Sequence, residues 1–509
     1  MLRSLLSVSG FTLLSRVTGL LRDFFMAYAM GAGMISDAFQ VAWRLPNNFR
    51  SIFAEGAFNA AFIPLYSGKK TREGRDAAIV FAGDLMSWQV VIQLVLLIVA
   101  FLAMPWVIRL LAPGFSERPE QLALAADLTR ITFAYLFCVA LVSQFGAMLN
   151  AEQRFTAAAS SPILTNLTMT AMLAVYWVFP TAGHAAAVGV LLGGFCELTL
   201  LFVASRRAGM RLQLSWPRAT PDVGKFLRIL GPAVIGSASV QLGLFADVII
   251  ASFLPQGSLT ALYFADRINQ LPIGVVGVAL GTVLLPEMSR RLAANEHEAA
   301  TTAHNRAVEL GLYLTLPCAA LFLTVPDEIM RGLFQRGAFN FAAAEAAAHV
   351  LTAYAIGLPA FILVRTFTPL FYARNDTATP VRATMISVVV NVAVKVALVL
   401  GLGFGAVGLA LGTVTASWVN LACLALFAHR RDILQIGARL REFGPRIFAA
   451  ALSLGVAVYI SNATLGELVM QLPRYQKEAH LLLIALLSAV VYGGVTLLLG
   501  LRSVLSFRD

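Results

Sequence analysis

Charge is scarce in this chain. Only 13% of its 509 residues are Asp, Glu, Lys or Arg, against 59% hydrophobic residues, whereas soluble domains hold roughly 45–50% apolar and about 25% charged residues. That excludes a fold surrounded by water and leaves an integral membrane protein. Histidine and cysteine are scarce as well. The six histidines, His184, His297, His304, His349, His429 and His480, show neither HxxxH nor HExxH spacing, which excludes the helical metal-hydrolase arrangement. The four cysteines, Cys138, Cys196, Cys318 and Cys423, stand singly in apolar runs without a CxxC pair and fit small core residues. A membrane enzyme needs paired carboxylates, metal ligands or a nucleophile with its base. No such set stands out, so the chain is expected to be no enzyme and to need no metal or cofactor.

Apolar runs are what the chain has in quantity. A hydrocarbon core about 30 Å thick takes roughly 20 helical residues. Runs of that length recur fourteen times, near 5–30, 36–66, 79–108, 128–149, 161–179, 185–204, 229–254, 259–286, 308–325, 346–371, 383–401, 405–428, 446–463 and 480–500. An all-α polytopic membrane protein is expected. Arg16, Arg22 and Asp23 break any signal-peptide core in the first run, so the N-terminus is expected to stay attached. With that end placed in the cytoplasm, the inside segments collect 24 of the 38 Lys and Arg residues and the outside segments seven, as the positive-inside rule requires. Both termini are then cytoplasmic. The net charge of +11 is a matter of topology; no interleaved basic and aromatic signature marks a nucleic-acid partner.

Seven cations remain inside spans: Arg16, Arg22, Arg44, Arg50, Arg267, Arg365 and Lys395. Each would cost about 2.5–3.5 kcal/mol at a helix centre facing lipid. Partners or a water-filled cavity are therefore expected around them, with Arg44, Arg50 and Arg365 able to snorkel from helix ends. A scaffold has no use for such residues. In the stretch WRLPNNFRS (43–51), Asn47 and Arg50 share a helical face and Pro46 bends the helix.

Two weak internal matches share one offset. AVGVLLG at Ala187 and AVGLALG at Ala406 agree at five of seven positions, 219 residues apart, and AFQVAWRL at Ala38 faces ALYFADRI at Ala261, 223 residues apart. A duplication of six spans follows, and because six is even the halves form a parallel repeat. Lobes at 1–222 and 223–432 are expected, followed by two appended spans at 433–509. Such halves commonly enclose a substrate site between them.

SRVTGLLRD at Ser15, SDAFQVAWRLPN at Ser36, IFAEGAFNAAFIPLY at Ile52, APGF at Ala112, YFADRI at Tyr263 and GVALGTVLLPEMS at Gly277 together resemble the MurJ (MviN) family of lipid II flippases. That family belongs to the superfamily of multidrug, oligosaccharidyl-lipid and polysaccharide exporters. The resemblance covers essentially the whole chain. It implies a carrier in the bacterial cytoplasmic (inner) membrane that moves the undecaprenyl-diphosphate-linked peptidoglycan precursor outward by alternating access, among membrane lipids and possible cell-wall synthesis proteins as partners. It implies that the family's essential arginines correspond to Arg16, Arg22, Arg50 and Arg267, its first-span serine to Ser15, and its important carboxylates to Asp37, Glu55 and Asp266.

The chemistry agrees, because guanidinium forks bind diphosphates bidentately and stay charged at any working pH. Arg16, Arg22, Arg50, Arg267, Ser15 and Asn47 are the expected substrate-binding set. Asp23, Asp37, Glu55, Asp266 and Arg365 are the expected charge-pairing or gating set. A multidrug exporter would handle lipophilic cations and call for acidic cavity residues, against the in-span tally; a carrier of another polyprenyl-diphosphate oligosaccharide would use the same arginines. Asp247 and Lys395, mid-span charges with Asn391 one turn before the lysine, are expected to form an internal ion pair. Carriers of the wider superfamily can hold sodium with acidic and amide side chains, and a lysine ammonium would take that ion's place.

Overall fold

The computed structural model describes residues 2–50, 57–212, 216–472 and 475–505, and no strand occurs among them. Contacts divide the chain into two compact units, one running to Gly257 and including Arg336–Phe339, the other Ser258–Gln335 with Asn340–Asp509. The boundary between the units, at Gly257, lies past residue 222, where the first lobe was expected to end. The helix that opens there packs on other helices of the first unit.

The first unit holds α1 (Leu2–Met30), α2 (Met34–Phe49), α3 (Ala57–Glu73), α4 (Arg75–Leu111), α5 (Pro119–Ala151), α6 (Thr156–Ala174), α7 (Ala182–Arg207) and α8 (Pro221–Ser252). α1 lies on α6, α6 on α7, α2 on α5, and α8 on α3 and α4. Along α3, Phe58, Phe62 and Tyr66 recur every fourth residue and so share one face. Their rings follow one another at 5.2 and 5.4 Å and meet Phe81 of α4 and Phe226 of α8, which places this stripe in a buried core cluster of the unit. The short segment 336–339 belongs here because Ala338 N–H donates to the Tyr28 carbonyl at 2.9 Å.

The second unit holds α9 (Ser258–Pro272), α10 (Val278–Ala293), α11 (His297–Thr324), α12 (Pro326–Phe334), α13 (Phe341–Tyr372), α14 (Ala378–Val396), α15 (Gly405–Arg430), α16 (Ala438–Met470), α17 (Gln476–Leu498) and α18 (Arg502–Leu505). α13 is its hub, packed against α9, α10, α11, α12 and α15. Of the last two long helices, α16 lies on α11, and α17 on α16 and α12.

Among the described residues nine helices are long and apolar enough to cross a membrane: α4, α5, α7, α11, α13, α14 with its continuation to Gly401, α15, α16 and α17. The other five expected spans fall on α1, on α2 with α3, on α6, on α8, and on α9 with α10. Three of these helices, α1, α2 and α9, carry four of the seven in-span cations, Arg16, Arg22, Arg44 and Arg267. One of the expected spans is not a single α-helix: α9 ends at Pro272, and a π-helical turn, Ile273–Gly277, precedes α10. α2 is described to Phe49, shortly after Pro46, and residues 51–56 of its span lie outside the described residues. Each proline removes an N–H donor and crowds the preceding turn.

Between α13 and α14, Asp376 accepts from the Thr379 backbone N–H at 3.0 Å and pairs with Arg431. The Thr379 hydroxyl, its backbone N–H and the Arg431 guanidinium hold the carboxyl down at about 2, from an ordinary 3.8. A folded pKa below the unfolded one means that the turn's contribution is complete above about pH 4 and fades as pH falls towards 2. Asp376→Asn should therefore melt below the wild-type chain at pH 5, with the gap narrowing steadily as pH falls towards 2. A gap that stays constant over that range would contradict this role.

Candidate functional site

In the first unit the conspicuous cluster is a buried cation with its partners. Arg22 on α1 is 5% exposed. Its Nε and Nη2 donate to Asp23 Oδ1 at 3.1 and 2.7 Å, and its Nη1 donates to Asn166 Oδ1 on α6 at 3.1 Å. The Asn166 amide in turn donates to the Ser15 carbonyl at 3.0 Å and to Thr18 Oγ1 at 3.3 Å. Two α1 residues singled out from sequence, Ser15 and Arg22, thus meet at one asparagine, and Asp23 joins the network through Arg22. Ser15 contributes its carbonyl to this network. Arg16, one residue on, is exposed.

Arg50, just past α2, is half-buried and donates from Nη1 to the Tyr135 hydroxyl of α5 at 3.1 Å. With Asn59, Asn150 and Glu197 it lines a cleft of about 180 Å³. Glu197 on α7 is 2% exposed and accepts from Thr165 Oγ1 at 2.6 Å, so a guanidinium and a carboxylate share one small polar space. Asn47 is exposed while its neighbour Asn48 is buried. Asp37, 2% exposed, accepts from the Gly257 backbone N–H at 2.6 Å, tying the first turn of α2 to the end of the unit. Glu55 lies outside the described residues.

In the second unit, Arg267 on α9 donates from Nε to the Tyr263 hydroxyl at 3.2 Å, with its guanidinium 5.2 Å from that ring's centroid, a cation–π arrangement. Asp266 accepts from Gln270 Nε2 at 3.4 Å. Arg365 is exposed, its stem lying against Gly277 of the π-helical turn. Lys395 on α14 is 1% exposed, and Asn391, one turn before it, is half-buried. Asp247 is half-buried on α8 of the first unit.

The internal sequence match has a packing reason. A Cβ at Gly193, in the first copy, would lie 2.7 Å from the Thr165 Cα; one at Gly412, in the second, would overlap the Lys395 Cγ. In each unit a small residue lets α7 or α15 approach the preceding helix closely. Gly412→Ala should therefore lower thermal stability in detergent by about 1–3 kcal/mol, the usual range for overpacking. An unchanged melting temperature would contradict the contact.

Asn166, Tyr135, Thr165 and Glu197 were not singled out from sequence. Glu197 alone carried a usable signal, a carboxylate inside an apolar run. The others are ordinary polar residues until folding brings a guanidinium or carboxylate to them.

Long apolar helices with the Arg22 guanidinium and the Asp23, Asp37 and Glu197 carboxylates buried among them fit a multi-pass helical transporter. Solved structures share the fold: one titled lipid II flippase MurJ, inward closed conformation, at TM-score 0.77 and 23% identity over 96% of this chain and 98% of that one, and an inward-facing multidrug resistance MATE family transporter of the MOP superfamily, at TM-score 0.68 and 14% identity over 86% and 99%. The sequence model of the family described as lipid II flippase MurJ matches residues 26–475, and the chain belongs to that family. A probable lipid II flippase MurJ of Rhizobium meliloti (strain 1021) is 40% identical over 89% of this chain and 85% of its own length. The lipid II flippase MurJ of Burkholderia cenocepacia is 31% identical over 98% of each.

Proposed function

We propose that the chain is a lipid II flippase of the bacterial inner membrane, with both termini in the cytoplasm and fourteen crossings, which carries the diphosphate-linked headgroup outward by alternating access. The observation that supports this most is the guanidinium set on a chain of this family. Arg16, Arg50 and Arg267 supply forks for the diphosphate. Arg22, held by Asp23 and Asn166, acts as a positioning residue that fixes α1 on α6. Asp37, Glu55, Asp266 and Glu197 balance the cations when no anion is bound, so that closing the path leaves no charge buried alone.

The reading is tested in a bacterium whose own lipid II flippase can be switched off. Expression of this chain should restore growth and stop lipid II accumulating on the cytoplasmic side. Growth failure at normal membrane levels would contradict it. Restored export of some other lipid-linked oligosaccharide, without restored growth, would reassign the cargo.

A further inference from the structure

A cavity in the second unit is walled by residues that have no part in the site above. It measures about 340 Å³ and lies between α10, α11, α16 and the short α18, a size ordinary for a small-ligand site. Helical spacing builds its wall. On α10, Leu280, Val283, Leu284, Glu287 and Arg291 share one face, and on α11 Ala303, Arg306, Ala307 and Leu310 share another. The α10 stripe is graded, with three apolar residues first and the two charged ones towards the helix end. Val283 is 67% exposed, so the apolar end is not sealed. Glu287 is fully engaged, since Arg290 and Arg291 each donate to one of its oxygens at 2.6 Å. Glu309 on α11 is 1% exposed. Its Oε2 accepts from Arg439 Nε at 3.0 Å, and Arg439 Nη2 donates onward to the Ser503 carbonyl at 2.8 Å. Glu309 Oε1 has no hydrogen-bond partner among the described residues, a costly state for a buried carboxylate oxygen. The guanidiniums of Arg290, Arg291, Arg306 and Arg439 thus stand against the carboxylates of Glu287 and Glu309, an excess of positive charge beside one oxygen that still lacks a donor.

We infer that this cavity binds the head of a membrane phospholipid whose phosphodiester is joined to a hydrogen-bond donor, either the ammonium of phosphatidylethanolamine or the hydroxyls of phosphatidylglycerol. The phosphate takes the surplus charge of Arg291, Arg306 and Arg439, the donor reaches Glu309 Oε1, and the acyl chains leave past Leu284, Leu280 and Val283. Free phosphate, ionised, would leave that carboxylate oxygen unpaired. Phosphatidylcholine would too, since its quaternary ammonium has no N–H. Flipping is not assumed, so a chain that moved no lipid II would still bind here.

The test titrates purified protein in detergent with phosphatidylethanolamine, phosphatidylglycerol or phosphatidylcholine of one acyl composition and counts bound lipid by native mass spectrometry. The two donor-bearing lipids should reach half-saturation at about a tenth of the phosphatidylcholine concentration or below, the ratio that a hydrogen bond to a charged group supplies. Arg291→Gln, which leaves Glu287 its bond from Arg290, and Arg306→Gln should each raise half-saturation about fivefold for all three lipids. Glu309→Gln should act differently. Phosphatidylcholine should bind as before or more tightly once the negative charge is gone, while the preference for the donor-bearing lipids shrinks to near parity. A merely unfolded variant would lose all three lipids together. Equal binding of phosphatidylcholine by the wild type, a preference that survives Glu309→Gln, or curves unmoved by both arginine changes would overturn the proposal. Displacement of the lipid by free phosphoethanolamine at matched concentration would overturn it as well, giving the cavity to a soluble phosphate ester.

Discussion

Arg50→Ala is expected to leave the protein in the membrane at its normal level and to end its support of growth in a cell whose own flippase is switched off. Arg50 sits half-buried beside Tyr135 and shares a polar cleft with Asn59 and Glu197, so its guanidinium is positioned but not sealed off. A diphosphate recognised by a planar fork loses two parallel charge-assisted hydrogen bonds when that fork is removed. Arg50→Lys keeps a point charge without the fork and should rescue poorly. Tyr135→Phe removes one hydrogen bond from the charged Arg50 guanidinium, worth about 1.5–3 kcal/mol, and should slow transport by roughly ten- to 150-fold. Arg16→Ala and Arg267→Ala are expected to behave like Arg50→Ala. Growth curves with immunoblots of the membrane fraction check each variant, and wild-type growth would refute the role of that arginine.

Asp23→Ala is expected to destabilise the fold by about 3–5 kcal/mol, because it leaves Arg22 as a buried charge without its carboxylate. The side chains of the pair are 6% and 3% exposed, so water cannot take the carboxylate's place. Replacing both partners by apolar residues of similar size, Arg22→Met with Asp23→Leu, removes the uncompensated charge and should recover most of the lost stability. Transport should not recover with it, since α1 would then lack the polar contacts that hold it on Asn166 of α6. Thermal unfolding in detergent, read beside the growth assay, separates the two effects. A double variant as unstable as the single one would show that the pair is not what the fold depends on.

Much of the architecture was legible because a membrane imposes simple demands. Apolar runs of span length had to become helices, and Arg22 or Lys395 inside such a run had to find company. What stayed hidden depended on rotation of one helix against another. Asn166 lies 144 residues from Arg22, and no local pattern says which face of α6 will meet α1. Asn47 and Asn48 look alike in sequence, yet packing exposes the first and buries the second. Asp37 accepts from the backbone N–H of Gly257, a contact that needs the whole first unit folded and that no local pattern announces. Pro46 was expected to bend its helix, whereas Pro272, which closes α9 before a π-helical turn, was not singled out. How a helix yields at a proline is set by neighbours that the sequence does not display. The match between Ala187 and Ala406 was read as ancestry, and its glycines turned out to mark close helix approaches in both units.

Movement of the cargo itself is the most direct test. Purified protein is placed in liposomes with lipid II labelled on its headgroup, and the label in the leaflet corresponding to the periplasm is read with an impermeant reagent. A diphosphate carries about two charges, so a potential of 100 mV, negative on the cytoplasmic side, favours outward movement by roughly 4–5 kcal/mol. Protein-dependent appearance of label, accelerated by that potential and absent with Arg50→Ala, is the predicted result. Label that stays in its leaflet despite folded protein, or that crosses equally well with Arg50→Ala, would contradict the account.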